Sequence, residues 1–143
     1  MKYLLTTNLV SELVKPNPDQ GVHRVFELHP EVKLAYVFGS TGRDDRGPMS
    51  DYDFAVFLDE KDKRKIARTR FQLMDEISRA LGTDRVDVVV LDSAASPELK
   101  YNILQEGKLI FEREPYRVIV EPRILNEYFD FYMMLKRHGL TMA

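Results

Sequence analysis

The sequence predicts an α/β domain: a small mixed sheet of three or four strands with helices packed on one face. Two observations carry this. Strand-length apolar runs alternate along the chain with segments that are apolar at helical spacing. Only three of those runs, 32–38, 52–58 and 85–91, are apolar enough to read as convincing strands, so the sheet is small. A chain of 143 residues, 44% hydrophobic and 31% charged, is expected to form one globular domain spanning 1–143.

The elements follow in order. Thr7 or Asn8 can cap a short helix through Val14, stopped by Pro16-Asn17-Pro18. Gln20 to Leu28 carries Val22, Val25 and Phe26 at helical spacing and stops before Pro30. Val32 to Phe38 reads as a strand. Thr41 to Ser50 holds two Gly, a Pro and four charges, so an exposed loop is expected there. Tyr52 to Leu58 is the second strand. Asp59 to Leu81 is the clearest helix, with Ile66, Ala67, Phe71, Met74, Ile77 and Leu81 as its stripe and Gly82 as its stop. Arg85 to Leu91 is the third strand. Ser96-Pro97 is an N-cap followed by proline at the first helical position. That helix ends at Gly107, and Lys108 to Phe111 suits a fourth, edge strand. A long helix then runs from about Arg117 to Lys136.

Composition limits function. The net charge of −2 gives no global attraction to nucleic acid or anionic membrane, which argues against a template-bound polymerase. With no cysteine there is no disulfide, thiolate metal site or Cys nucleophile. Met1 to Asn8 lacks the apolar region of a secretory signal, and no window reaches the 18 apolar residues of a membrane span, so a cytoplasmic protein is expected.

The chemistry is most legible between the first two strands. Ten residues separate Gly39-Ser40 from Asp51-Tyr52-Asp53. The pattern reads strand, phosphate-sized turn, loop, then a second strand opening with two carboxylates. Residues two apart on a strand share a face, so Asp51 and Asp53 project side by side. Carboxylates that close repel unless a cation lies between them. Oxygen donors with no His or Cys nearby select Mg²⁺ or a similar hard ion. On the third strand, Asp87 interrupts the run Val86 to Val90. A carboxylate on a buried strand needs a partner: either the same cation, which we favour, or a backbone N–H or Arg85. Gly39-Ser40 is open to two readings as well, a plain turn or a backbone that approaches a phosphate with the Ser40 hydroxyl on its oxygens. His23, His29 and His138 lie outside the motif and are expected at surface or capping positions.

Gly39-Ser40, ten residues, Asp51-x-Asp53 and then a lone Asp87 on a following strand resembles the nucleotidyltransferase superfamily of the DNA polymerase β fold. More narrowly, the chain resembles the minimal nucleotidyltransferases, the MntA-type antitoxins paired with HEPN-domain toxins. The resemblance covers a catalytic core of about 32–112, with the C-terminal helix at about 117–136 beyond it. It implies that Gly39 and Ser40 bind a nucleotide triphosphate, and that Asp51, Asp53 and Asp87 bind two Mg²⁺ ions, with Mn²⁺ as a substitute. Many members have Arg-Gly after the Gly-Ser; here Arg43 matches, but Asp44 stands in place of the glycine. Arg46-Gly47 offers a cation from a shifted position, and either arginine is equally readable as a solvated loop charge. Ser50 completes the candidate nucleotide-binding set.

The resemblance implies attack of a hydroxyl on the α-phosphorus of ATP, with two cations stabilising the attacking and leaving oxygens. Asp87 is the best candidate to take the hydroxyl proton. Only 31 residues follow Glu112, so the acceptor is expected to arrive on another protein. The leading expectation is an adenylyltransferase that modifies a Tyr of a partner HEPN ribonuclease toxin, without direct nucleic-acid or membrane binding. The alternatives are an antitoxin acting by occlusion alone, or a nucleotidyltransferase acting on a small-molecule or RNA hydroxyl. In the last helix, Leu125, Tyr128, Phe129, Tyr132 and Leu135 form one stripe while Phe131 and Met134 fall on another side. Such a helix is either core throughout or partly an interface.

Overall fold

The computed structural model describes residues 18–38, 52–92 and 95–140. Its elements are α1 (Pro18–Glu27), β1 (Val32–Phe38), β2 (Tyr52–Leu58), α2 (Lys63–Leu81), β3 (Val86–Val90), α3 (Pro97–Glu106), β4 (Lys108–Glu112) and α4 (Tyr116–Arg137). The short helix expected before Val14 and the loop expected at 41–50 lie outside the described residues.

The strands form one sheet in the order β3-β2-β1-β4. Strand β1 is antiparallel to both β2 and β4, while β2 and β3 are parallel, so the sheet is mixed. Parallel neighbours cannot be joined by a tight turn, and α2 supplies the crossover. The helix begins at Lys63 rather than at Asp59 for a local reason. The Glu60 carboxylate accepts the Lys61 and Asp62 amides at 3.1 Å each, and Asp62 caps the helix by accepting the Arg64 amide at 2.9 Å. Gly82, at φ 71°, ends it in the left-handed region. Ser96 caps α3 through the Leu99 amide at 3.1 Å, with Pro97 in the first turn.

Helices cover both faces of the sheet, where one face was expected. The reason lies in the strands: Leu34, Ala35, Tyr36 and Val37 of β1 are all buried, so both of its sides need cover. On one side Phe54, Val56, Val86 and Val88 pack with Phe26 of α1 and Leu73 and Ile77 of α2. On the other, Leu34, Tyr36 and Ala55 pack with Ile103 of α3 and Val120 and Ile124 of α4.

The buried stripe of α2 runs through Thr69, Leu73 and Ile77, with Ile66, Met74 and Leu81 beside it. Phe71, expected on that stripe, is 61% exposed. Two stripes fit the sequence because Ile66, Met74, Ile77 and Leu81 serve both; Leu73 pulls the helix to the one that excludes Phe71. Helix α4 is core only in its first half. Val120 and Ile124 are buried, whereas Phe129, Met133 and Met134 are exposed. Tyr128 of the predicted stripe stacks on Tyr101 of α3, centroids 3.9 Å apart and rings 9° from parallel.

Arg113, just past β4, ties the end of α1 to the sheet. Its Nε donates to the Val32 carbonyl at 2.9 Å and its Nη2 to the Glu27 carbonyl at 3.1 Å. A cation on the last carbonyls of a helix also complements the helix dipole. Among the described residues, no helix is long and apolar enough to cross a membrane.

Candidate active site

Strand pairing brings the two described candidate carboxylates together. Asp53, near the start of β2, is the Cα partner of Asp87 on β3. In-register residues on adjacent parallel strands share a face and lie about 4.8 Å apart. That face is the one covered by α3 and α4, since Ala55 follows Asp53 by two residues and packs there. On the far side of Asp53, Phe38 of β1 is its antiparallel partner. Phe38, Asp53 and Asp87 therefore form one row across three strands. The Tyr52 amide donates to the Arg85 carbonyl at 2.7 Å, which locks this register where the two strands begin.

Gly39, Ser40, Arg43, Arg46, Ser50 and Asp51 lie outside the described residues. Asp53 and Asp87 are thus the two predicted site residues that the structure places, and it places them side by side. Among the described residues no group of three or more His, Cys, Asp or Glu side chains is gathered to hold a metal ion. The donor set that is present suits a hard divalent cation all the same: two neighbouring carboxylates, with the Asp87 side chain 47% exposed and no imidazole or thiolate in the row.

Asp87 does have a protein partner, Arg70. Arg70 reaches from α2 to the outer edge of β3. Its Nη2 donates to Asp87 Oδ1 at 3.2 Å and its Nε to the Val88 carbonyl at 2.6 Å. Sequence reasoning missed this residue, because nothing distinguishes Arg70 from the other basic residues of α2 until the crossover aims it at β3.

Gly107 was foreseen only as a helix stop. A Cβ there would lie 2.5 Å from the Ile103 carbonyl oxygen, 3.1 Å from that of Val37 and 3.4 Å from the Phe38 Cβ. Only glycine lets the end of α3 close against the last residues of β1, immediately before Gly39-Ser40. A cleft of about 300 Å³ opens at the other end of the same face, lined by Phe57, Leu91, Asp92, Lys100, Arg123 and Glu127 among others. Its buried Lys100 is committed to the Asp92 carbonyl at 3.1 Å and to Glu127 at 2.8 Å.

A mixed four-stranded sheet with a helical crossover and paired aspartates at the start of its parallel strands defines an α/β domain of the nucleotidyltransferase class. The chain belongs to the polymerase beta nucleotidyltransferase family, whose model matches residues 20–116. Among solved structures, a chain of a toxin–antitoxin crystal structure with AMP-PNP aligns with a TM-score of 0.69 and 23% identity, over 83% of this chain and 93% of that one. A chain of a complex between a tri-AMPylated Shewanella oneidensis HEPN toxin and an MNT antitoxin aligns with a TM-score of 0.64 and 22% identity, over 84% and 91%. A chain of a MntA–HepT toxin–antitoxin complex gives 0.63 and 24%, over 84% and 92%. At these identities the likeness is one of fold. No curated protein matches the chain by sequence.

Proposed function

We propose that this nucleotidyltransferase is an antitoxin that transfers AMP from ATP to a tyrosine hydroxyl of a partner HEPN toxin and so neutralises it. The observation that carries the reading is the register of Asp53 with Asp87 on a polymerase beta nucleotidyltransferase domain. Support for the partner and the transferred group comes from the similar solved chains, which belong to toxin–antitoxin complexes, one with AMP-PNP and one with a tri-AMPylated toxin.

In the proposed reaction the acceptor oxygen attacks the α-phosphorus of ATP. The bond from that phosphorus to the bridging oxygen breaks, and pyrophosphate leaves. Asp87 takes the hydroxyl proton. Arg70 holds Oδ1 of Asp87, which leaves Oδ2 for that proton. Asp51, Asp53 and Asp87 are the residues that would hold two Mg²⁺ or Mn²⁺ ions, whose charge stabilises the attacking and leaving oxygens of such a displacement. Gly39 and Ser40, joined by Ser50 and by Arg43 or Arg46, are assigned to the triphosphate. Catalysis rests on positioning and charge stabilisation rather than on a covalent enzyme intermediate.

Intact mass spectrometry of the cognate toxin, after incubation with this protein, ATP and Mg²⁺, tests the reading. The toxin should gain AMP-sized mass with the wild type and none with Asp53→Ala or Asp87→Ala. Inhibition of the toxin without added mass, equal for wild type and Asp53→Ala, would establish occlusion instead.

A further inference from the structure

We propose that Arg70 is a positioning residue for Asp87, and that the exposed Phe71 serves to hold it. The inference rests on the functional reading above for its kinetic consequence, though not for the contact itself. Asp87 lies on β3, an edge strand of the sheet. Its side chain is half exposed, so strand packing alone leaves its χ angles free. Arg70 removes that freedom with two bonds at fixed relative geometry: Nε on the Val88 carbonyl at 2.6 Å and Nη2 on Asp87 Oδ1 at 3.2 Å. One planar guanidinium thereby links the side chain of Asp87 to the backbone of the next residue. Lysine, with a single ammonium on a flexible stem, lacks that fork.

The guanidinium is supported in turn. Its Cζ lies 5.5 Å from the centroid of the Phe71 ring, within the range of cation–π attraction. This accounts for an aromatic residue that is 61% exposed on a helix whose core stripe excludes it. The positive charge also offsets the repulsion between Asp87 and its neighbour Asp53. Arg70 itself acts from the sheet edge, through Asp87.

The test combines kinetics with stability. With the toxin as acceptor, Arg70→Gln should lower kcat about ten- to a hundredfold, the range expected for a misplaced catalytic group. KM for ATP should change less than about threefold, because Arg70 lies on the acceptor-side carboxylate. Arg70→Lys should fall between Gln and wild type, and Phe71→Ala should cost only a few-fold. Independently of any activity, urea midpoints in EDTA should be non-additive for Arg70→Gln and Asp87→Asn, since residues in one hydrogen-bonded pair couple. An unchanged kcat in Arg70→Gln, a loss carried wholly by KM, or additive midpoints would overturn the proposal. Should the wild type transfer no AMP at all, the functional reading falls, and the midpoints in EDTA still decide whether Arg70 holds Asp87. A poorly folded Gln variant leaves Arg70→Lys, which keeps the charge and loses the fork, to carry both arms.

Discussion

Replacing Tyr36 by phenylalanine should destabilise the protein by an amount that vanishes at high pH. Tyr36 is 3% exposed on β1, and its hydroxyl donates to Glu121 Oε2 of α4 at 2.6 Å. It thereby ties the long helix to the face that carries Asp53. Phenylalanine fills the same space, so the loss is that of one hydrogen bond to a charged acceptor, about 1.5–3 kcal/mol. Glu121 keeps a bond from Arg117 Nε at 3.2 Å and is 25% exposed, which places the loss near the lower end, about 1.5 kcal/mol. Burial, and then the bond to Glu121, push the Tyr36 phenol well above its ordinary range. The unfolded phenol ionises near pH 10 while the folded one keeps its proton. The stabilisation is therefore complete below about pH 10 and falls by about 1.4 kcal/mol for each pH unit above it. Tyr36→Phe lacks this term, and the other tyrosines are common to both proteins. Urea denaturation followed by circular dichroism should show a gap of about 1.5 kcal/mol at pH 8 that closes near pH 11. A gap that stays constant from pH 8 to pH 11 would refute the reasoning.

Three further outcomes are expected. Gly107→Ala puts a Cβ 2.5 Å from the Ile103 carbonyl oxygen and should cost about 1–3 kcal/mol in urea denaturation, with the amides around Phe38 shifted in NMR spectra. Arg113→Ala frees the end of α1 and should cost about 2 kcal/mol, with hydrogen exchange rising at Val25 to His29 before the rest of the core responds. Mg²⁺ with a non-hydrolysable ATP analogue should raise the melting temperature of the wild type, since a ligand that binds only the folded state stabilises it. Asp53→Asn should abolish that shift while leaving the apo protein folded, and an unchanged shift would count against the site.

Much of this fold was legible in the sequence. The bounds of β1 and β2 coincide with their apolar runs, and Ser96-Pro97 opens α3 as its capping chemistry dictates. What could not be read depended on contacts distant in sequence. The placing of helices on both faces follows from which sides of β1 and β2 are buried, and single strands of almost continuous apolar residues do not reveal that. Phe71 was misplaced because four residues of α2 belong equally to two stripes, and only packing against α1 and the sheet chooses between them. The start of α2 was lost to carboxylates, Glu60 and Asp62, that capture amides before the helix can. Asp53 stood out through its spacing from Gly39-Ser40, and Asp87 because a charge within an apolar strand is conspicuous; the pairing of the two strands sets them side by side. Arg70 did not stand out, because one more basic residue on an exposed helix is not conspicuous.

The central claim is that the row built on Asp53 and Asp87 is the catalytic centre. It is tested most directly by a crystal of this protein grown with Mn²⁺ and a non-hydrolysable ATP analogue, measured for anomalous scattering. The account predicts a manganese peak within about 2.0–2.6 Å of carboxylate oxygens of both Asp53 and Asp87, with the triphosphate beside it. A peak bound elsewhere, with these two side chains unligated and Asp87 still turned only to Arg70, would contradict it.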